Sequence, residues 1–166
     1  TSMADKNSFT PDEWNTILMS PTIAGMAITA ADPSGLWGML KESFASGTAL
    51  VTAKTDPDAN QLVKAVVADF ETADGRGELK EALKARFTGI KPDQVVPSAL
   101  AVLTDVARIL DAKAPEDAAG FKSWLEEISQ KVAEASKEGG FLGFGGVRVS
   151  DAEKATLADI QKTLNA

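Results

Sequence analysis

The chain has 166 residues, 44 % of them apolar, with 17 basic and 24 acidic side chains for a net charge of −7. That length favours one domain with a core of its own. Cysteine, histidine and tyrosine are all absent, which excludes disulfides, thiolate and imidazole metal sites, and catalysis by Ser-His-Asp or Cys-His groups. So acidic a chain repels phosphate backbones and anionic lipid, and neither nucleic acid nor a membrane is an expected partner.

Thr1-Ser2 ahead of Met3 reads as a remnant of cloning, and residues 1–8 as a flexible N-terminus before a single all-α domain over 9–166. No apolar secretory segment follows Met3, so a cytoplasmic location is expected. Trp14 to Ala31 carries no charge but contains Asn15, Ser20, Pro21 and Thr29. It falls short of the ~20 residues a membrane span needs and reads as a buried core helix.

Prolines punctuate the chain. Thr10, Ser20, Asp32 and Asp56 each precede a proline, the pattern of a capping side chain followed by Pro at the first helical position. Thr10-Pro11-Asp12-Glu13 and Ser150-Asp151-Ala152-Glu153 also have capping-box spacing. The first long segment is therefore expected to break near Ser20-Pro21 into a short helix and a buried one. Stop signals follow at Gly47, Gly75, Gly89 and Gly139-Gly140.

Between these marks the apolar residues recur at helical spacing. The stripes are Leu36/Trp37-Leu40-Phe44, Leu62/Val63-Val66/Val67-Phe70, Leu79-Leu83-Phe87, Leu100-Leu103-Val106-Leu110, Phe121-Trp124/Leu125-Ile128-Val132 and Leu157-Ile160-Leu164. The fourth nearly encircles its helix and is expected at the centre. Trp14, Trp37 and Trp124 all sit within apolar segments and read as core. No stretch alternates long enough to make a strand. The fold expected is a compact all-α bundle of seven or eight short helices with short Pro/Gly-marked loops.

Two regions stand out as candidate sites. Gly139 to Gly146 holds five of the 13 glycines, interleaved with Phe141, Leu142 and Phe144. A phosphate cradle needs a preceding strand and a Gly-Lys-Ser/Thr ending, and neither is here. Two readings stay open: the three apolar side chains fold back as a plug on the core, or they face a protein partner. Exposure of the two phenylalanines separates them.

The second region is acidic. Asp69, Glu71, Asp74 and Glu78 surround the Gly75-Arg76-Gly77 segment, and hard oxygen ligands suit Ca²⁺ or Mg²⁺. A solvated acidic helix end accounts for the same residues. Asp56, Asp58 and Asn60 match the opening of an EF-hand loop, but Gln61 and Val67 stand where its glycine and bidentate glutamate belong. Neither a Gly-x-Ser-x-Gly elbow nor a Walker pattern is present, so no enzymatic activity and no catalytic residue is expected.

The runs from Ala24 to Gly38, Glu138 to Gly143 and Val149 to Lys154 resemble a family of small all-α bacterial proteins, a resemblance that brings no function with it. Ala31-Asp32 with Gly35, and Val149-Ser150-Asp151-Ala152-Glu153, more loosely resemble helix starts of tellurite-resistance TerB-like domains. That second resemblance implies an acidic cytoplasmic stress-response module with a divalent-metal role. The leading expectation is a non-enzymatic cytoplasmic protein acting through protein contacts or self-association, with Phe141, Leu142 and Phe144 as the contact loop. The alternatives are a TerB-like metal-binding module using Asp69, Glu71, Asp74 and Glu78, and a small apolar ligand held between helices.

Overall fold

A computed structural model describes residues 6–31, 60–139 and 151–165. Among the described residues the chain is all-helical, with no strand. Its six α-helices are α1 (Pro11–Ala31), α2 (Gln61–Phe70), α3 (Ala73–Phe87), α4 (Val95–Lys113), α5 (Pro115–Gly139) and α6 (Asp151–Leu164). Single 3-10 turns at Lys6–Ser8 and Pro92–Gln94 precede α1 and α4. The count is below the seven or eight expected; the stripe from Leu36 to Phe44 lies outside the described residues.

Helix α1 opens as its sequence dictates. The Thr10 amide donates to Glu13 Oε1 at 2.9 Å, and the Glu13 amide donates to Thr10 Oγ1 at 3.2 Å, closing the capping box. The expected break at Ser20-Pro21 does not occur, and α1 runs unbroken with Pro21 inside it. Proline has no N–H for the Ile17 carbonyl four residues back. Ser20 Oγ donates to that carbonyl instead, at 2.6 Å in the buried interior.

The centre of the bundle is α1 rather than α4. Trp14, Ile17, Leu18, Ile23, Ala24, Ala27 and Ile28 are all buried, and α1 packs on α2, α3, α4, α5 and α6. A helix that is uncharged beyond its first turn and surrounded on most sides has little solvent face to supply with polar residues. By contrast α4 buries Val102, Leu103, Val106 and Leu110 but exposes Ala101, Thr104, Arg108 and Asp111. Phe121, Trp124, Leu125, Ile128 and Val132 of α5, with Ile160 and Leu164 of α6, complete the core.

Helix α2 starts at Gln61, capped by Asn60 in extended backbone; the expected cap at Asp56-Pro57 lies outside the described residues. Asn60 Oδ1 accepts from the Val63 amide at 2.8 Å, while its Nδ2 donates to the Asp117 carbonyl at 2.9 Å. One side chain thus caps α2 and ties it to α5. Gly75, expected as a stop, does not end a helix. It lies in the first turn of α3, where Thr72 Oγ1 caps its amide at 2.9 Å. A Cβ there would stand 1.9 Å from the Asp69 carbonyl oxygen, so glycine is demanded by close backbone approach. Gly89 is the true stop after α3, at φ +78.

Ion pairs staple the helices together. Glu13 at the head of α1 meets Lys113 at the tail of α4 at 2.7 Å. Lys122 of α5, only 11 % exposed, meets Asp111 of α4 at 2.8 Å. The Lys113 ammonium, then the Thr10 amide, hold the Glu13 carboxyl below its ordinary value.

Candidate functional site

The acidic region divides into two environments. Asp69, near the end of α2, has a side chain only 15 % exposed. Its Oδ2 accepts from Trp14 Nε1 at 2.8 Å, a charge-assisted bond on a buried indole. Lys6 Nζ stands 3.5 Å from Asp69 and 3.6 Å from Glu78. The structure therefore brings these two carboxylates onto one ammonium, supplied by the turn ahead of α1. Glu71 and Asp74 are exposed on either side of the Thr72 cap. Among the described residues no group of three or more acidic side chains is placed to hold a metal ion.

Phe9 packs 5.9 Å from Trp14, ring to ring. Together with the Lys6 ion pairs, this fastens the segment ahead of α1 to the outer end of α2. Nothing local in the sequence announced the Trp14–Asp69 bond, whose partners lie 55 residues apart.

The second environment is an open groove of about 850 Å³ between the head of α1 and α3. Asp12 and Asn15 line it from α1; Asp74, Glu78 and Glu81 line it from α3, over a floor of Ala73, Gly77, Ala82 and Ala85. Lys80 is the single basic residue on its wall. Helix α3 is the outermost of the bundle in burial: Gly75 alone is buried, while Leu79, Ala82, Leu83 and Phe87 are half-buried against the core. A Cβ at Gly77 would meet nothing within 4 Å. Asp12, Asp74, Glu81, Lys80 and Lys84 make no ion pair among the described residues. Arg76, by contrast, is spent on the Phe70 and Glu71 carbonyls at 3.2 and 3.1 Å.

A second, more polar groove of about 560 Å³ separates α5 and α6, with Glu126, Gln130, Lys154 and Gln161 on its walls. Asn165 Nδ2 donates to Glu126 Oε1 at 2.8 Å and pins the end of α6 to α5. Trp14 and Trp124 are core residues as expected, at 1 % and 7 % exposure, and Trp124 Nε1 has no hydrogen-bond partner among the described residues. Trp37 lies outside the described residues.

The expected contact loop of Phe141, Leu142 and Phe144 lies outside the described residues, as do Asp32, Gly35, Val149 and Ser150 of the TerB-like resemblance. Of that second stretch, Asp151 opens α6 in solvent and Glu153 is buried at 2 % exposure. No family model matches the chain, and no curated protein or solved structure matches it.

Proposed function

We propose that the chain is a non-enzymatic cytoplasmic helical protein that works through protein–protein contacts, self-association among them. One observation carries the reading: α3 is packed by half-buried side chains and bounded by an open groove in which Asp12, Asp74 and Glu81 make no ion pair among the described residues. Some charges elsewhere are consumed internally, as in Glu13–Lys113 and Asp111–Lys122. A surface with unspent charge beside half-buried apolar side chains is the kind that partners cover. The Phe141-Leu142-Phe144 loop is the second contact element in this reading.

The divalent-metal alternative draws less support. Two of its carboxylates, Asp69 and Glu78, share the Lys6 ammonium, and Asp69 also holds the Trp14 indole. A cation there would have to displace Lys6.

Sedimentation velocity over a concentration series, on the unaltered chain and on Phe141→Ser/Phe144→Ser, tests the proposal. Reversible association that the double substitution weakens, with the melting temperature unchanged, is the expected result. A chain that stays monomeric at every concentration removes self-association. A double variant that loses its helical signal makes the loop part of the core.

A further inference from the structure

Helix α3 is attached differently from its neighbours. Of its 15 residues Gly75 alone is buried, and Leu79, Ala82, Leu83 and Phe87 reach the core only half-buried. The shorter α2 buries Leu62, Val63, Val66 and Val67, and α4 buries six residues. The groove of about 850 Å³ shared with α1 opens the flank of α3 that carries Asp74, Glu78 and Glu81. Burial of apolar area is the main force that holds a helix on a bundle, and α3 has little of it.

Its own helical preference does not make up the difference. A helix of this length is marginal on its own in water. Gly77 weakens it further relative to alanine, and a Cβ there would meet nothing within 4 Å, so no packing contact requires the glycine. At the near end the corner with α2 is firm: Thr72 Oγ1 caps the Gly75 amide, and Arg76 Nη1 donates to the Phe70 and Glu71 carbonyls. At the far end Gly89, at φ +78, separates α3 from the turn that leads into α4.

Ion pairs supply the remaining attachment. Lys6 Nζ, from the turn ahead of α1, stands 3.6 Å from Glu78. Arg86 Nη2, in the last turn of α3, donates to Asp105 Oδ2 of α4 at 3.0 Å. The four side chains range from 32 % to 48 % exposed. Pairs this open to water are individually weak and sensitive to salt.

We propose that α3 is an opening element: it detaches and unwinds as a unit while the rest of the bundle stays folded, and Lys6–Glu78 and Arg86–Asp105 latch it closed. The device is a property of the single chain, so it goes beyond the contact reading above and needs no partner. Opening runs from the Gly89 end toward the Thr72 corner. It uncovers Leu79, Leu83 and Phe87 together with the core surface on which they pack. Salt loosens both latches, so ionic strength sets how often that apolar surface is exposed.

Native-state hydrogen exchange on the full chain, at one low protein concentration, tests the proposal. Amides of residues 82–87 should exchange at least about tenfold faster than those of residues 103–110 and 125–132. Lys6→Gln and Asp105→Asn lie outside α3, yet each should speed exchange in α3 about two- to fivefold and leave α5 unchanged. Gly77→Ala should slow exchange in α3 by a similar factor. Raising the salt from about 0.05 M to about 1 M should speed exchange in α3 of the unaltered chain, and do so far less in the Lys6→Gln/Asp105→Asn double variant. Amides of α3 as slow as those of α4 and α5 would overturn the proposal, because α3 would then open only with the whole chain. Latch substitutions that speed every helix alike, or that speed none, would overturn it too.

Discussion

Ser20 Oγ donates to the Ile17 carbonyl oxygen at 2.6 Å, inside a helix that Pro21 ought to have interrupted. The next residue's ring removes the amide that would have served Ile17, and the serine hydroxyl replaces it from one position earlier. This pairing keeps α1 whole, and α1 is the helix on which the rest of the bundle packs. Ser20→Ala should therefore cost about 1–3 kcal/mol, the range for a buried carbonyl left unpaired. In a Pro21→Ala background the amide returns, and the same serine substitution should cost much less. Denaturant unfolding of the four chains in this cycle measures the coupling; equal costs in both backgrounds would show that the hydroxyl does not compensate for the proline.

Gly75 and Gly77, two residues apart on α3, should respond to alanine with opposite signs. A Cβ at Gly75 would strike the Asp69 carbonyl at 1.9 Å, whereas one at Gly77 meets nothing. Gly75→Ala should destabilise by about 1–3 kcal/mol through forced backbone movement. Gly77→Ala should stabilise by about 0.5–1 kcal/mol, the intrinsic helical preference of alanine. Thermal melts of the two variants decide it.

These features differ in how far they could be read from the chain itself. The capping box of Thr10 and Glu13 was legible because its partners are three residues apart and its chemistry is complete within one turn. The stripes on α2, α4, α5 and α6 were legible for the same reason, since periodicity is local. Ser20-Pro21 was misread because the dipeptide that caps a helix can also sit inside one, and burial against neighbouring helices decides between the two. Gly75 looked like a stop because the carbonyl that demands a glycine there belongs to the preceding helix. Asn60 and Asp117, or Trp14 and Asp69, meet across 57 and 55 residues, and no local pattern encodes such pairs. The acidic residues of the candidate site were legible as a cluster, but not the division that sets Asp69 and Glu78 on Lys6 and leaves Asp74 and Glu81 without an ion pair among the described residues.

Glu13 should confer pH dependence in the acid range. Its carboxyl is held below the ordinary 4.5, first by Lys113 and then by the Thr10 amide. A group whose folded value is depressed contributes stability above its unfolded value, and that contribution disappears as pH falls through the folded value. Glu13→Gln should thus lower the melting temperature at pH 7, and the gap from the unaltered chain should close as the pH falls through the depressed folded value. A gap that persists at pH 2 would show that the substitution acts through packing rather than charge.

Asp69→Ala should strip Trp14 of its acceptor and free Lys6 at the same time. Leaving the buried indole N–H unpaired should cost about 1–3 kcal/mol. Lys6→Ala should cost under ~1 kcal/mol, because that ammonium is half exposed. Equal costs for the two variants would contradict the assignment of Asp69 to Trp14.

Millimolar Ca²⁺ or Mg²⁺ should move the melting midpoint by less than ~1 °C relative to EDTA. A site a hundredfold saturated would add about 2.7 kcal/mol, and at this length ~1 kcal/mol shifts the midpoint by roughly 2–4 °C. A saturable rise of several degrees with one ion would restore the metal reading and direct mutagenesis to Asp69, Glu71, Asp74 and Glu78.

Hydrogen–deuterium exchange of the unaltered chain at low and at high protein concentration bears most directly on the central claim, that this bundle works through the outer face of α3. The amides of Ala73–Phe87 should exchange more slowly at high concentration, while the exposed side of α4 around Thr104 and Arg108 stays unchanged. Exchange in α3 that does not depend on concentration, or protection that develops on another helix instead, would contradict it.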